Sequence, residues 1–232
     1  APSQPMSAAN ASPVVNAPWI DAALTPIGPE EPAGSDVTYD PDFEALQTEV
    51  GKLESLTAGP VDWGRVVALG KDIWGAKSKD LRVCGPLVLG LFLEAGYSGL
   101  LEGLVTVEGL LGRFWESCYP PRKRMRGRIG CIQWLSERVG AEIERQGLPE
   151  ASDQGPLGQA LETAERLDVD VKEKTSGKAD FWALIKALRE KAREAEETKA
   201  AAVEPAAATS EPHTPAEPSQ AARSAPTPPP EI

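Results

Sequence analysis

The chain has 232 residues, 41% of them hydrophobic and 25% charged, the proportions of a soluble globular protein. A formal net charge of -11 argues against a general nucleic-acid binder, because an acidic field repels a polyanion. The lone histidine, His213, excludes Ser-His-Asp and Cys-His catalysis. The three cysteines, Cys84, Cys118 and Cys131, contain no CxxC pair and suit a reduced, cytoplasmic setting rather than a disulfide framework or a zinc site.

Residues 1–24 carry no periodic pattern and no secretory signal, and are predicted to be a flexible N-terminal segment. A Pro/Gly-rich stretch, PIGPEEPAGSD (Pro26–Asp36), precedes the first helix start at Asp40-Pro41-Asp42. There Asp40 can cap free amides, and Pro41 suits a first helical position that needs no donor. Phe43, Leu46, Val50 and Leu53 then share a face. Asp62 caps a second helix carrying Trp63, Val66, Val67, Leu69, Ile73 and Trp74, with Val61 and Val66 as a hydrophobic staple.

A third helix is predicted from near Lys79 to Ala95, kinked at Pro86 and stopped by Gly96. A fourth spans Leu100 to Trp115 with Glu102 and Glu108 toward solvent. A fifth spans Arg126 to Gln146, with Ile129, Ile132, Leu135, Val139 and Ile143 at helical spacing. Pro156 to Leu167 is amphipathic, and Phe181, Trp182, Ile185 and Leu188 begin a last helix that becomes strongly charged. Residues 201–232, rich in Pro and Ala, read as a disordered linker to a missing C-terminal region. No segment alternates as a strand would. The expected fold is all-α, an antiparallel bundle of about six to eight helices with disordered tails at both ends.

Chemistry finds little purchase. Neither GxxxxGK[ST] nor GxGxxG occurs. Asp36, Asp40 and Asp42 lack the glycine and terminal glutamate of an EF-hand loop, and capping explains them more simply. Six tryptophans at helical spacing read as core. The longest uncharged apolar run, Val83–Leu93, falls short of the roughly 20 residues a membrane-spanning helix needs, so no membrane insertion is expected. No catalytic residue, cofactor site or metal ligand is predicted; of the enzyme classes only a hydrolase with an unrecognised carboxylate pair remains.

One stretch runs against the acidic balance: five of the seven residues from Arg122 to Arg128 are basic, namely Arg122, Lys123, Arg124, Arg126 and Arg128. Arg126 and Arg128 fall near a helix N-terminus, where positive charge costs about 0.3–1 kcal/mol without a compensating partner. Three roles are open at this point. The loop pairs with the acidic residues Glu30, Glu31, Asp36 and Asp42 inside the fold, or it is a docking patch for an acidic protein, or it binds phosphates.

The segment PIGPEEPAGSDVTYDPDFEAL (Pro26–Leu46), with VDW at 61–63, KDLRV at 79–83 and FWESCYPP at 114–121, resembles the ImpA N-terminal domain of the TssA family of bacterial type VI secretion. PPRKRMRGRIGCIQWL (Pro120–Leu135) is similar to its VasJ-like branch in particular. The resemblance implies a domain over residues 25–147, followed by a helical extension over 148–200. Its motif residues are Pro26, Gly34, Asp36, Tyr39, Asp40, Pro41, Phe43, Trp63, Asp80, Leu81, Arg82, Trp115 and Pro120, taken as structural. It further implies a non-enzymatic assembly protein of the cytoplasm that works with baseplate and tail tube or sheath proteins, and forms homo-oligomers through a C-terminal domain absent here. The alternative is an adaptor for effectors or for the membrane complex. No nucleic-acid partner is implied.

Overall fold

The computed structural model describes residues 17–55 and 57–203; the expectations for residues 1–16 and 204–232 lie outside that range. Among the described residues seven α-helices follow one another: α1 (Pro18–Leu24), α2 (Pro41–Gly51), α3 (Trp63–Asp72), α4 (Cys84–Phe114), α5 (Met125–Arg145), α6 (Gln154–Thr175) and α7 (Trp182–Val203). No strand forms among the described residues, and the fold is an all-α bundle. The packed unit ends at Glu197.

α4 is the central element, because its sequence is apolar on every side. Leu87, Leu91, Leu100, Leu104, Leu110 and Leu111 are all buried, and α1, α3, α5 and α6 pack around it. By length and composition alone Leu81–Phe114 could cross a bilayer, yet 72% of its most apolar window is buried against the rest of the protein. Its helical dihedrals break at Ala95 and Gly96, where Gly96 adopts φ 59°, so the predicted stop at Gly96 is real and two helical stretches of α4 meet there at a kink. Pro86 makes no kink. It lies in the first turn of α4, where the missing amide leaves no bond unmade.

Several sequence expectations need correction. Residues 18–24 are helical rather than flexible: α1 buries Ile20 and Ala23, and Trp19 Nε1 donates to Glu102 Oε2 at 3.0 Å. Glu102 therefore fastens α1 to α4 instead of facing solvent. Glu108 likewise receives Arg166 Nε at 2.7 Å and ties α4 to α6. α6 runs to Thr175, eight residues past the predicted Leu167, because Val171 and Thr175 continue its buried face. Trp182 is exposed (64%), so it is not the core residue that the tryptophan pattern predicts. Both predicted caps form: Asp40 accepts from the Asp42 amide at 2.9 Å and Asp62 from the Arg65 amide at 2.9 Å.

Candidate functional site

The segments that share the motif residues are far apart in sequence and meet at one junction. Lys79 N donates to Ala33 O (2.8 Å), Ser35 N to Lys77 O (3.2 Å), Tyr119 N to Lys79 O (3.1 Å) and Leu81 N to Tyr119 O (2.7 Å). Residues 33–36, 77–81 and 118–120 thus lie side by side as short extended pieces, satisfying backbone groups that no helix serves. The Tyr119–Pro120 peptide is cis. Gly34, at φ 73°, is buried against the Lys77 carbonyl.

Charge is distributed around this junction in three separate arrangements. Arg82 lies 4.4 Å over the Phe43 ring and donates to Asp80 (Nε–Oδ1 3.0 Å), Asp36 (3.0 Å) and Thr38 Oγ1 (3.0 Å). Asp80 is fully buried, and its Oδ1 also accepts the Arg82 amide at 2.9 Å, capping the turn that leads into α4. Lys77 Nζ meets Asp40 at 2.8 Å and Asp42 at 2.6 Å. Hydrogen bonds from Thr38 hold the Asp36 carboxyl below its ordinary pKa, and the Lys77 ammonium does the same for Asp40. All three aspartates of the calcium-like cluster are therefore occupied by protein donors.

Arg128 is the third arrangement and resolves half of the basic-loop question. It is fully buried, 4.7 Å over the Trp115 ring. Its Nε donates to Pro120 O (2.7 Å), one terminal nitrogen to Cys118 O (2.6 Å) and the other to Trp115 O. The partner is not an acid of the 30–42 segment. It is the carbonyl of Trp115, which caps the C-terminus of α4 where the dipole favours a cation, with those of Cys118 and Pro120 in the turn that follows, and together they offset the poor placement of Arg128 near the start of α5.

The rest of the loop faces outward. Arg122 pairs with Glu116, both well exposed. Lys123, Arg124 and Arg126 are exposed and meet no carboxylate within 4 Å among the described residues. The first of the three open roles, pairing with Glu30, Glu31, Asp36 and Asp42, does not form among the described residues; Arg82 and Lys77 hold Asp36 and Asp42 instead.

The sequence reading overlooked Lys79 and Glu49. Glu49 is buried and accepts Lys52 Nζ (2.6 Å) and the Asp62 amide (3.1 Å), linking α2 to the start of α3. Lys79 is fully buried, donates to Trp74 O and Ala22 O, and lies 5.4 Å over the Phe114 ring. With carbonyls and a ring but no carboxylate, burial pushes its pKa down to about 8. The unfolded chain, with an ordinary lysine pKa near 10.5, binds that proton more tightly. Folding therefore gains as pH rises through about 8. Between pH 7 and 9 the stability of the protein should rise by about 1 kcal/mol relative to a Lys79→Met variant, read by urea unfolding at each pH. A constant difference would refute the assignment. Above pH 9 the thiols of buried Cys118 (pKa pushed up to about 11) and half-buried Cys131 (about 12) act in the opposite sense, since the unfolded chain loses those protons first.

Beside the junction, α2, the start of α4 and α5 enclose an open groove of about 350 Å³. Its walls are Gln47 and Val50 of α2, Pro86 of α4, and Gly127, Gly130 and Trp134 of α5, with Arg82 and Pro120 at the junction end. It is mostly apolar. Among the described residues no group of three His, Cys, Asp or Glu side chains is placed to hold a metal.

Residues 24–137 match the family model for ImpA, N-terminal, type VI secretion system. The type VI secretion system component TssA1 of Pseudomonas aeruginosa is 36% identical over 108 residues, 44% of this chain and 31% of that protein, so the match spans less than a third of that relative. The fold is also similar to a solved structure, the N-terminal domain including the conserved ImpA_N region of the TssA component from Burkholderia cenocepacia. The TM-score is 0.64 at 21% identity, covering 78% of this chain and 94% of that one. The matched region contains all the segments that build the junction, from the Gly34 turn to Arg128. Over residues 24–137 the chain matches the ImpA N-terminal region of the type VI secretion system.

Proposed function

We propose that this domain is a non-enzymatic docking module that works in the cytoplasm, binding baseplate or tail tube and sheath proteins while they assemble. The observation that carries it is the division of the basic loop. Arg128 is consumed in closing the fold, whereas Lys123, Arg124 and Arg126 stand outside it without an acidic partner, on a chain of net charge -11. The motif residues of the junction are held by protein partners, Asp36 and Asp80 by Arg82 and Asp40 by Lys77, which supports a structural rather than a catalytic use. The run Pro120–Leu135 supports placing the chain in the VasJ-like branch.

The test is capture by the full chain of each separately expressed secretion component. Binding to a baseplate or tail protein is expected, weakening with salt as rim charges are screened. Replacing Arg122, Lys123 and Arg124 together by Ser should weaken that binding about tenfold with an unchanged melting temperature, a loss of about 1.4 kcal/mol. Capture of only effectors or membrane-complex proteins would establish the adaptor role instead. Capture of none of the components would overturn the docking reading.

A further inference from the structure

We propose that the groove between α2, the start of α4 and α5 receives one bulky apolar side chain from an acidic segment of a partner protein. The proposal rests on the docking reading above and gives it an address. Three observations support it.

The first is the groove itself, about 350 Å³, apolar and open to solvent, with Pro86 and Trp134 as its large surfaces. Pockets of this character bury an anchor residue well.

The second is Gly130. It sits inside a 21-residue helix, where glycine is less favourable than alanine by about 1 kcal/mol. Its φ is not in the left-handed region, and a Cβ there would meet no atom within 4 Å. Neither its backbone nor its neighbours in the fold need a glycine. What its missing side chain preserves is open space in the groove.

The third is charge. Arg126 precedes Gly130 by one helical turn, and Lys123 and Arg124 lie in the turn just before α5. Nearby acids are already held, Asp36 and Asp80 by Arg82, Glu116 by Arg122, and Glu54 by Arg138 at 3.7 Å. On the α2 side the exposed Glu44, one turn before Gln47, is a single acid to set beside three cations. The complement of such a rim is an acidic segment. An apolar anchor, which a phosphate backbone lacks, is the complement of the groove.

The test places a benzophenone amino acid at Gln47, on the exposed rim, in the full chain, and mixes it with each purified baseplate and tail component. The expected cross-link maps to a segment with net negative charge and a large apolar residue. It should fall at least fivefold when Lys123, Arg124 and Arg126 are all changed to Ser. Independently, Gly130→Leu should lower component capture at least tenfold without lowering the melting temperature, while Gly130→Ala keeps capture and melts higher. Cross-links to residues 204–232 of the same chain, to a second copy, or to a neutral or basic segment would overturn the proposal. Unchanged capture by Gly130→Leu would overturn it too, and would leave the docking reading standing. If the unmodified chain captures no component, both fall together.

Discussion

Replacing Arg128 by Met is expected to cost about 3–5 kcal/mol of folding stability, measured by urea unfolding with an unchanged m-value. The methionine keeps much of the apolar stem packed on Trp115 and so isolates the loss of the guanidinium. The carbonyls of Cys118 and Pro120 then lose their guanidinium donors, at roughly 1–3 kcal/mol each, and Trp115 O keeps only the weak Cys118 thiol at 3.6 Å. Arg128→Lys should recover less than half of the loss. An ammonium restores the charge at the end of α4, but it cannot direct donors from a planar fork at carbonyls on three sides. A cost below about 1 kcal/mol for the methionine variant would mean that water replaces the guanidinium, contrary to the fully buried geometry.

Gly34→Ala should be comparably damaging, and for a different reason. At φ 73° an alanine pays about 1–2 kcal/mol of backbone strain. Its Cβ would stand 2.1 Å from the Lys77 carbonyl oxygen and 2.8 Å from Ile27 Cδ1. The isoleucine tip can move, but the carbonyl is held in the junction. The two segments must therefore part, and the bonds Ser35 N to Lys77 O and Lys79 N to Ala33 O weaken or break. Adding about 1 kcal/mol for each gives an expected loss of about 3–4 kcal/mol. Hydrogen exchange locates the damage: the Ser35 and Lys79 amides should exchange faster, while α5 and α6 amides keep their protection relative to the new global stability. Uniform loss across the bundle, with those two amides still the slowest, would contradict this account.

These two positions differ in how far the sequence announced them. Gly34 was legible only through the family resemblance, whereas Asp40, Pro41 and Asp62 were legible directly, because cap chemistry is local. A side chain that accepts an amide two or three residues ahead depends on little else. The core faces of α2, α3 and α5 were equally legible, since periodicity reports which side is buried. Arg128 was legible only as a charge in an awkward place. The dipole argument required a compensating partner, and that requirement was met, but by carbonyls at and just after the end of α4 rather than by the acids at 30–42. No spacing rule points from residue 128 to the carbonyls of 115, 118 and 120.

The same distinction explains the errors. Glu102 and Glu108 are charged, and a helix read in isolation directs them to water. Trp19 and Arg166 reach them from 83 and 58 residues away. α1 has too few residues to declare itself by periodicity and forms because α4 supplies a surface for Ile20 and Ala23. Trp182 shows the converse: a large apolar residue at a helix start that the packed bundle leaves outside.

The sequence by itself determined the all-α class, most helix boundaries, the caps and the resemblance of residues 25–147 to an ImpA N-terminal domain, because each follows from neighbouring residues or from motifs in order along the chain. Only the tertiary structure decided which cations are consumed within the fold and which remain outside. Lys77, Lys79, Arg82 and Arg128 are inward and Lys123, Arg124 and Arg126 outward, although all seven have the same charge in the sequence. The physical reason is that a charge is buried only where donors and acceptors from distant segments converge on it, and that convergence exists only once the helices have packed.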